Sequence, residues 1–120
     1  MILVDTSVWV EHLRTGQPDL VRLLDDGLVL GHPWVAGELA LGHLIQRGEV
    51  IGLLGALPCA VVATPEEILV LVESHRLYGI GIGYVDAQLL ASTALTDGAK
   101  FWTADRRLEA AAIRVGCGRS

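Results

Sequence analysis

Asp5, Glu38, Asp86 and Asp105 are carboxylates set among apolar residues. Asp5 follows the apolar run Met1–Val4, and Asp105 follows Lys100–Thr103 closely. Each therefore lies where a strand would hand over to a helix. A residue there can be a helix cap, or a ligand group at the carboxyl end of a strand, where open α/β sheets place their ligands. Glu38 and Asp86 are more informative. Three and four residues along a helix, Glu38 meets Trp34, Val35, Leu41 and Gly42, and Asp86 meets Ile82, Gly83, Leu89 and Leu90. A carboxylate on such a face would be desolvated, and unpaired it would cost several kcal/mol or take up a proton. Neither segment places a base within a turn of its acid. An Arg or Lys from elsewhere could answer the charge, and a metal ion is the economical alternative. Oxygen donors without cysteine suit Mg²⁺ or Mn²⁺, and Mg²⁺ keeps several waters, so some acids would bind through water. The chemistry that follows is hydrolysis by metal-activated water, with the ion stabilising a pentavalent phosphate.

These acids need a scaffold, and the chain reads as alternating strands and helices. Met1–Val4 forms a buried strand, followed by helices over Val8–Leu13 and Asp19–Asp26, with Thr15-Gly16-Gln17-Pro18 between them. Leu28–Leu30 is a second strand. Pro33 opens a helix running to about Arg47, with Gly48 just past its end. A short helix over Glu49–Leu57 and a third strand over Ala60–Val62 follow. Thr64-Pro65-Glu66-Glu67 is a capping box that starts a helix from Pro65 to about Tyr78. The Gly79–Gly83 loop leads into a helix over Tyr84–Thr96, then a fourth strand over Lys100–Thr103. A last helix runs from Asp105 to Ala112, and Ile113–Val115 is a candidate fifth strand. This alternation predicts a three-layer α/β/α fold around a short parallel central sheet, as one domain over residues 1–120.

Bulk properties agree with that class. The chain is 52% hydrophobic but only 5% aromatic, so its apolar weight is aliphatic, as in buried parallel strands and their covering helices. The mean hydropathy of +0.49 also suggests a face buried against a partner. The longest uncharged run, Val50–Pro65, is interrupted by Gly52, Gly55 and Pro58, which excludes a membrane span. The N-terminus has no basic region ahead of its apolar run, so it is not a signal peptide. Cys59 and Cys117, without CxxC spacing, read as small residues of a reduced cytoplasmic protein. A net charge of −5 argues against electrostatic wrapping of nucleic acid and fits acids gathered at a metal.

MILVDTSVW at the N-terminus, VAGELALG around Glu38, GIGYVDAQLLASTAL around Asp86 and FWTADRRL around Asp105 resemble PIN-domain ribonucleases. Within these, the chain resembles the VapC toxins of bacterial toxin–antitoxin pairs, over its whole length and in the right order. The resemblance implies a PIN-like sheet with the acids meeting above the carboxyl ends of its strands. It implies Mg²⁺- or Mn²⁺-dependent endonucleolytic cleavage of RNA of the tRNA or ribosomal class. It further implies a homodimer and a cognate VapB-type antitoxin binding over the active site. Asp5, Glu38, Asp86 and Asp105 carry over as the catalytic, metal-binding set. Thr6, Ser7 and Thr103 fall where family members use a hydroxyl to hold a carboxylate or water, although Thr6 or Ser7 would equally cap the first helix. Some members have a further acid after the last Asp; here Arg106 and Arg107 follow, which implies fewer direct ligands.

Arg14, Arg106 and Arg107 are candidate contacts to RNA phosphate, against the alternative of a solvated helix face. His12, His32, His43 and His75 share no metal-ligand spacing and read as surface or partly buried residues. Trp9, Trp34 and Trp102 lie in apolar segments and read as core or dimer contacts. A phosphatase of the haloacid dehalogenase type would need a second Asp two residues after Asp5, where Ser7 stands. A catalytically silent binding module on the same fold is the rival from another class.

Overall fold

The computed structural model describes residues 1–119. Its centre is a parallel sheet of three strands in the order β2-β1-β3. β1 (Ile2–Val4) pairs on one side with β2 (Val29–Leu30), Leu3 opposite Leu30. On the other side it pairs with β3 (Lys100–Trp102), Val4 opposite Trp102. Flanked on both edges, β1 buries Leu3 and Val4 completely. The chain leaves β1 toward one neighbour and returns later to the other, so strand order reverses beside the carboxyl end of β1. That is where open sheets leave a crevice for ligands.

Helices α1 (Thr6–Thr15) and α2 (Pro18–Asp25) join β1 to β2. Then come α3 (Pro33–Ala40), α4 (Arg47–Ala56), α5 (Pro65–His75) and α6 (Tyr84–Leu95) before β3, with α7 (Arg106–Val115) after it. The architecture is the expected α/β/α arrangement. The main core gathers Leu3, Val8, Trp9, Leu20, Leu89, Leu90, Phe101 and Leu108. Trp9 is thus a core residue as expected, whereas Trp34 and Trp102 are half-buried. The α5 capping box is formed in full: the Thr64 N–H donates to Glu67 Oε1 at 2.9 Å, and the Glu67 N–H donates to Thr64 Oγ1 at 3.2 Å.

The structure corrects the sequence expectations at several places. The helix expected over Pro33–Arg47 ends at Ala40. The Gly42 N–H turns back to the Leu39 carbonyl, and the Arg47 guanidinium donates to the Ala40 and Gly42 carbonyls, closing the helix end. Leu41 and Ile45 then stand 91% and 85% exposed. Ala60–Val62 is not a strand. One bridge joins Gly31 to Cys59; beyond it, the Val61 N–H donates to Thr96 Oγ1 and the Ala63 N–H to Gln88 Oε1. Side chains of α6 thus take the hydrogen bonds that a strand partner would have supplied. Ile113–Val115 belongs to α7, and the free edge of β3 is met instead by Cys117–Gly118, with the Phe101 N–H donating to the Cys117 carbonyl at 2.8 Å. The helices expected to reach Tyr78 and Thr96 end at His75 and Leu95.

Candidate active site

Asp5 sits at the carboxyl end of the central strand and is buried, with 6% of its surface exposed. It occupies the cap position of α1, yet its side chain makes no capping hydrogen bond. Its Oδ2 instead accepts from Ser7 Oγ at 2.6 Å and from Thr103 Oγ1 at 2.8 Å. Both hydroxyls are fixed in turn: Ser7 Oγ accepts from the Ala104 N–H and Thr103 Oγ1 from the Asp105 N–H, each at 3.1 Å. A buried carboxylate held on one oxygen by two anchored hydroxyls has a defined direction. It keeps its other oxygen without a protein donor among the described residues. Ser7 and Thr103 thus hold a carboxylate, and neither Thr6 nor Ser7 caps α1.

Glu38 does not lie where its helical face suggested. It is exposed, because α3 stops two residues later and Leu41 and Gly42 never cover it. Its Oε1 accepts from Thr6 Oγ1 at 2.7 Å, which ties it to the residue next to Asp5. Trp34 and Tyr84, with ring centroids 6.1 Å apart, brace the first turns of α3 and α6, the helices that carry Glu38 and Asp86. Asp86 is half-buried in the first turn of α6, and its Oδ2 accepts from the Gly83 N–H at 2.9 Å. Asp105 is exposed and caps α7, its Oδ1 accepting from the N–H groups of Arg107 and Leu108 at 2.8 and 3.1 Å.

Burial pushes the Asp86 carboxyl above its ordinary range; the Gly83 hydrogen bond opposes this, and the charges of Asp5, Asp105 and Glu38 add to the rise. All four acids therefore share one electrostatic neighbourhood at the carboxyl ends of β1 and β3. They lie within Coulombic reach rather than in ligand contact: among the described residues, no three acidic, histidine or cysteine side chains are disposed to hold an ion together. The donor chemistry nevertheless fits a hard divalent cation. The acceptors are carboxylate oxygens, their mutual repulsion would be relieved by positive charge, and Mg²⁺ typically takes one or two carboxylates with waters filling the rest.

His32 departs from the surface or partly buried placement expected of it. It is buried, and its Nδ1 accepts from the Trp34 N–H at 3.0 Å, so Nε2 carries the proton and donates to Ser92 Oγ at 2.9 Å. No spacing in the sequence signals this. The Gly83 N–H was likewise missed, although the glycine-rich stretch before Asp86 was its available signal.

A PIN-domain family model matches residues 2–114. The chain belongs to the PIN-domain family. Ribonuclease VapC32 from two strains of Mycobacterium tuberculosis, CDC 1551 / Oshkosh and ATCC 25618 / H37Rv, is 53% identical over 116 residues. The match covers 97% of this chain and 94% of each relative, and groups the chain with the VapC members of the family. No solved structure matches the chain significantly.

Proposed function

We propose that this PIN-domain chain is the toxin of a toxin–antitoxin pair, an endoribonuclease that uses Mg²⁺ or Mn²⁺ to cut RNA of the tRNA or ribosomal class. The observation that carries the reading is Asp5, buried at the end of the central strand and aimed through one oxygen by two anchored hydroxyls, with Asp86, raised mainly by burial, near enough to feel its charge and those of Glu38 and Asp105. Four like charges beside one another destabilise a site unless a cation or a charged substrate complex answers them. The PIN-domain match over residues 2–114 and the ribonuclease name of the relatives support the reaction.

The four acids would hold the divalent ion, which supplies an activated water and charge stabilisation at phosphorus. The chain's own residues do the positioning. Ser7 and Thr103 aim Asp5, Thr6 steadies Glu38, and Gly83 holds Asp86. Asp105 uses Oδ1 on the α7 backbone, and its Oδ2 has no protein donor among the described residues. Arg14, Arg106 and Arg107 are the candidate contacts to RNA phosphate.

Partners follow the same reading. An apolar groove of about 430 Å³ between α5 and α6 lies beside exposed Leu69, Val70 and Leu95, and suits a second copy of the chain. A groove of about 660 Å³ lined by Thr6, Val10, Leu13, Glu38 and Ile45 adjoins the acids, and suits a VapB-type antitoxin that covers them. No described helix is long and apolar enough to cross a membrane. The toxin reading, with RNA as substrate, implies action in the cytoplasm.

Incubation of the purified protein with total RNA, with and without Mn²⁺ or Mg²⁺, tests the reading directly. Metal-dependent cleavage is expected, lost in Asp5→Asn and Asp86→Asn. Binding without any metal-dependent cleavage by the unmodified protein would favour a silent binding module. Cleavage retained in both variants would sink the assignment of the site.

A further inference from the structure

Gly81 has a backbone φ of +86°, and a Cβ built there would lie 2.7 Å from Arg107 Nη1, 3.2 Å from Cδ and 3.4 Å from Cζ. The arginine stem and guanidinium therefore lie directly against the bare glycine, in space that any side chain would occupy. Gly81 lies in the loop that leads into α6, which carries Asp86, and Arg107 lies in the first turn of α7, which Asp105 caps. Arg107 donates its own backbone N–H to Asp105 Oδ1 at 2.8 Å. Gly81 lies two residues before Gly83, whose N–H holds Asp86 Oδ2. The arginine thus lies across the junction between Asp105 and Asp86.

Its donors are open. Among the described residues, the ion pair present is Arg22 with Asp19, and no hydrogen bond is made by the Arg107 guanidinium. Arg47 and Arg114 differ. Their guanidiniums bond the carbonyls of Ala40 and Gly42, and of His75 and Arg76, closing helix ends. Arg107 is exposed and rests against Gly81, with its planar fork of donors left for something else. Arg14 and Arg106 also lack ion pairs, but no glycine gives them a seat. In a chain of net charge −5, a cation beside the acids is where an anionic polymer can approach.

We propose that Arg107 grips an RNA phosphate beside the acid cleft and that Gly81 is the positioning residue that seats it. The inference rests on the ribonuclease reading above and selects one cation among the three candidates. A guanidinium matches a phosphate through two parallel hydrogen bonds. Holding it in place beforehand removes part of the ordering cost of binding.

The test uses a labelled RNA fragment that the unmodified protein binds, with binding measured in EDTA across a salt series and cleavage measured separately with metal. Arg107→Ala is a surface truncation and should fold. It should weaken binding about tenfold, and lower the slope of log K against log salt by about 0.7, one single-strand phosphate contact. Arg107→Lys should restore the slope but not the full affinity. Gly81→Ala should reproduce the loss in the unmodified background and change binding less than about twofold when Arg107 is already Ala, the signature of residues acting as one unit. Unchanged binding and slope in Arg107→Ala, with cleavage of RNA by the unmodified protein intact, overturns the inference and leaves the nuclease reading standing. An equal loss from Gly81→Ala in both backgrounds overturns the positioning role of Gly81. Salt-dependent binding without cutting overturns the nuclease reading, while the slope still decides the Arg107 contact.

Discussion

Two polar clusters are built into this fold, and they are finished in opposite ways. Under α6, His32 donates to Ser92, Ser92 donates to Gln88 Oε1 at 2.6 Å, and Gln88 exchanges hydrogen bonds with the backbone of Ala63, 3.0 Å each way. Every member is neutral, buried and paired. At the end of the sheet, Asp86 feels the charges of the three other acids, each acid has donors on a single oxygen, and among the described residues none of the four is in an ion pair with a basic side chain. The first cluster replaces the backbone ladder that residues 60–63 lack, so it belongs to the fold. The second is left short of positive charge, which is a reason to bind something rather than a reason to be stable.

The sharpest way to break this contrast is to neutralise one acid. Asp86→Asn keeps the acceptor for the Gly83 N–H but removes the charge. Cleavage of RNA should fall by on the order of 100-fold or more, while the metal-free melting temperature should stay level or rise, as when a strained functional group is relieved. A large loss of stability would mean that Asp86 is a structural group, and the two clusters would then be alike.

The buried cluster should answer in the opposite sense. Gln88→Leu removes the donor to the Ala63 carbonyl, the nearer acceptor of the Ala63 N–H and the acceptor of the Ser92 hydroxyl, leaving the N–H only Ser92 Oγ at 3.3 Å. Urea denaturation should show a loss of about 2–4 kcal/mol, the cost of buried groups left unpaired. The residue does not touch the acids, so cleavage per folded molecule should remain. A stability loss under about 0.5 kcal/mol, the range of surface changes, would show that the network is incidental.

How much of each cluster could be read beforehand follows from how local its cause is. Asp5 and Asp105 were legible because a strand end and a helix start are both written in a few neighbouring residues. The Thr64–Glu67 capping box was legible for the same reason. The burial of Glu38 was misjudged because its apolar face was counted through Leu41 and Gly42, and α3 ends before them. Glu38 is tied to the residue after Asp5 through Thr6 and not through a buried face. Ala60–Val62 has strand-forming residues, but its partners are α6 side chains distant in sequence, and no local pattern encodes that. His32 was unreadable on the same ground: Ser92, its acceptor, lies 60 positions away.

The hydroxyls around Asp5 give a smaller effect that sharpens the picture. Ser7→Ala and Thr103→Val each remove one donor from Oδ2. Each should lower cleavage by about 10-fold, in the range for groups that orient a metal-binding carboxylate. The double variant should fall short of the product, since both donors serve the same oxygen. Fully multiplicative losses would indicate that the two hydroxyls act on separate groups.

The smallest expected effect is on stability against pH, and there the clusters should carry opposite signs. Burial lowers the His32 pKa below its ordinary 6.5. The unfolded chain therefore binds a proton first as pH falls. Full stability from this site is present above pH 6.5 and is lost as pH drops through the folded-state value. His32→Gln, which cannot titrate, should flatten that part of the curve. Asp86 has a raised pKa, so the folded chain holds its proton longer than the unfolded one. Its contribution is fully present below pH 3.8 and is lost as pH rises through the raised value. In metal-free buffer, Asp86→Asn should remove that loss, and saturating Mg²⁺ should offset it in the unmodified protein, because a cation that binds only the folded state stabilises it by mass action. Were Mg²⁺ to leave the melting temperature unchanged across this window, the acids would be answered by something other than a metal ion, and the contrast between a completed cluster and an open one would need a different ligand to explain it.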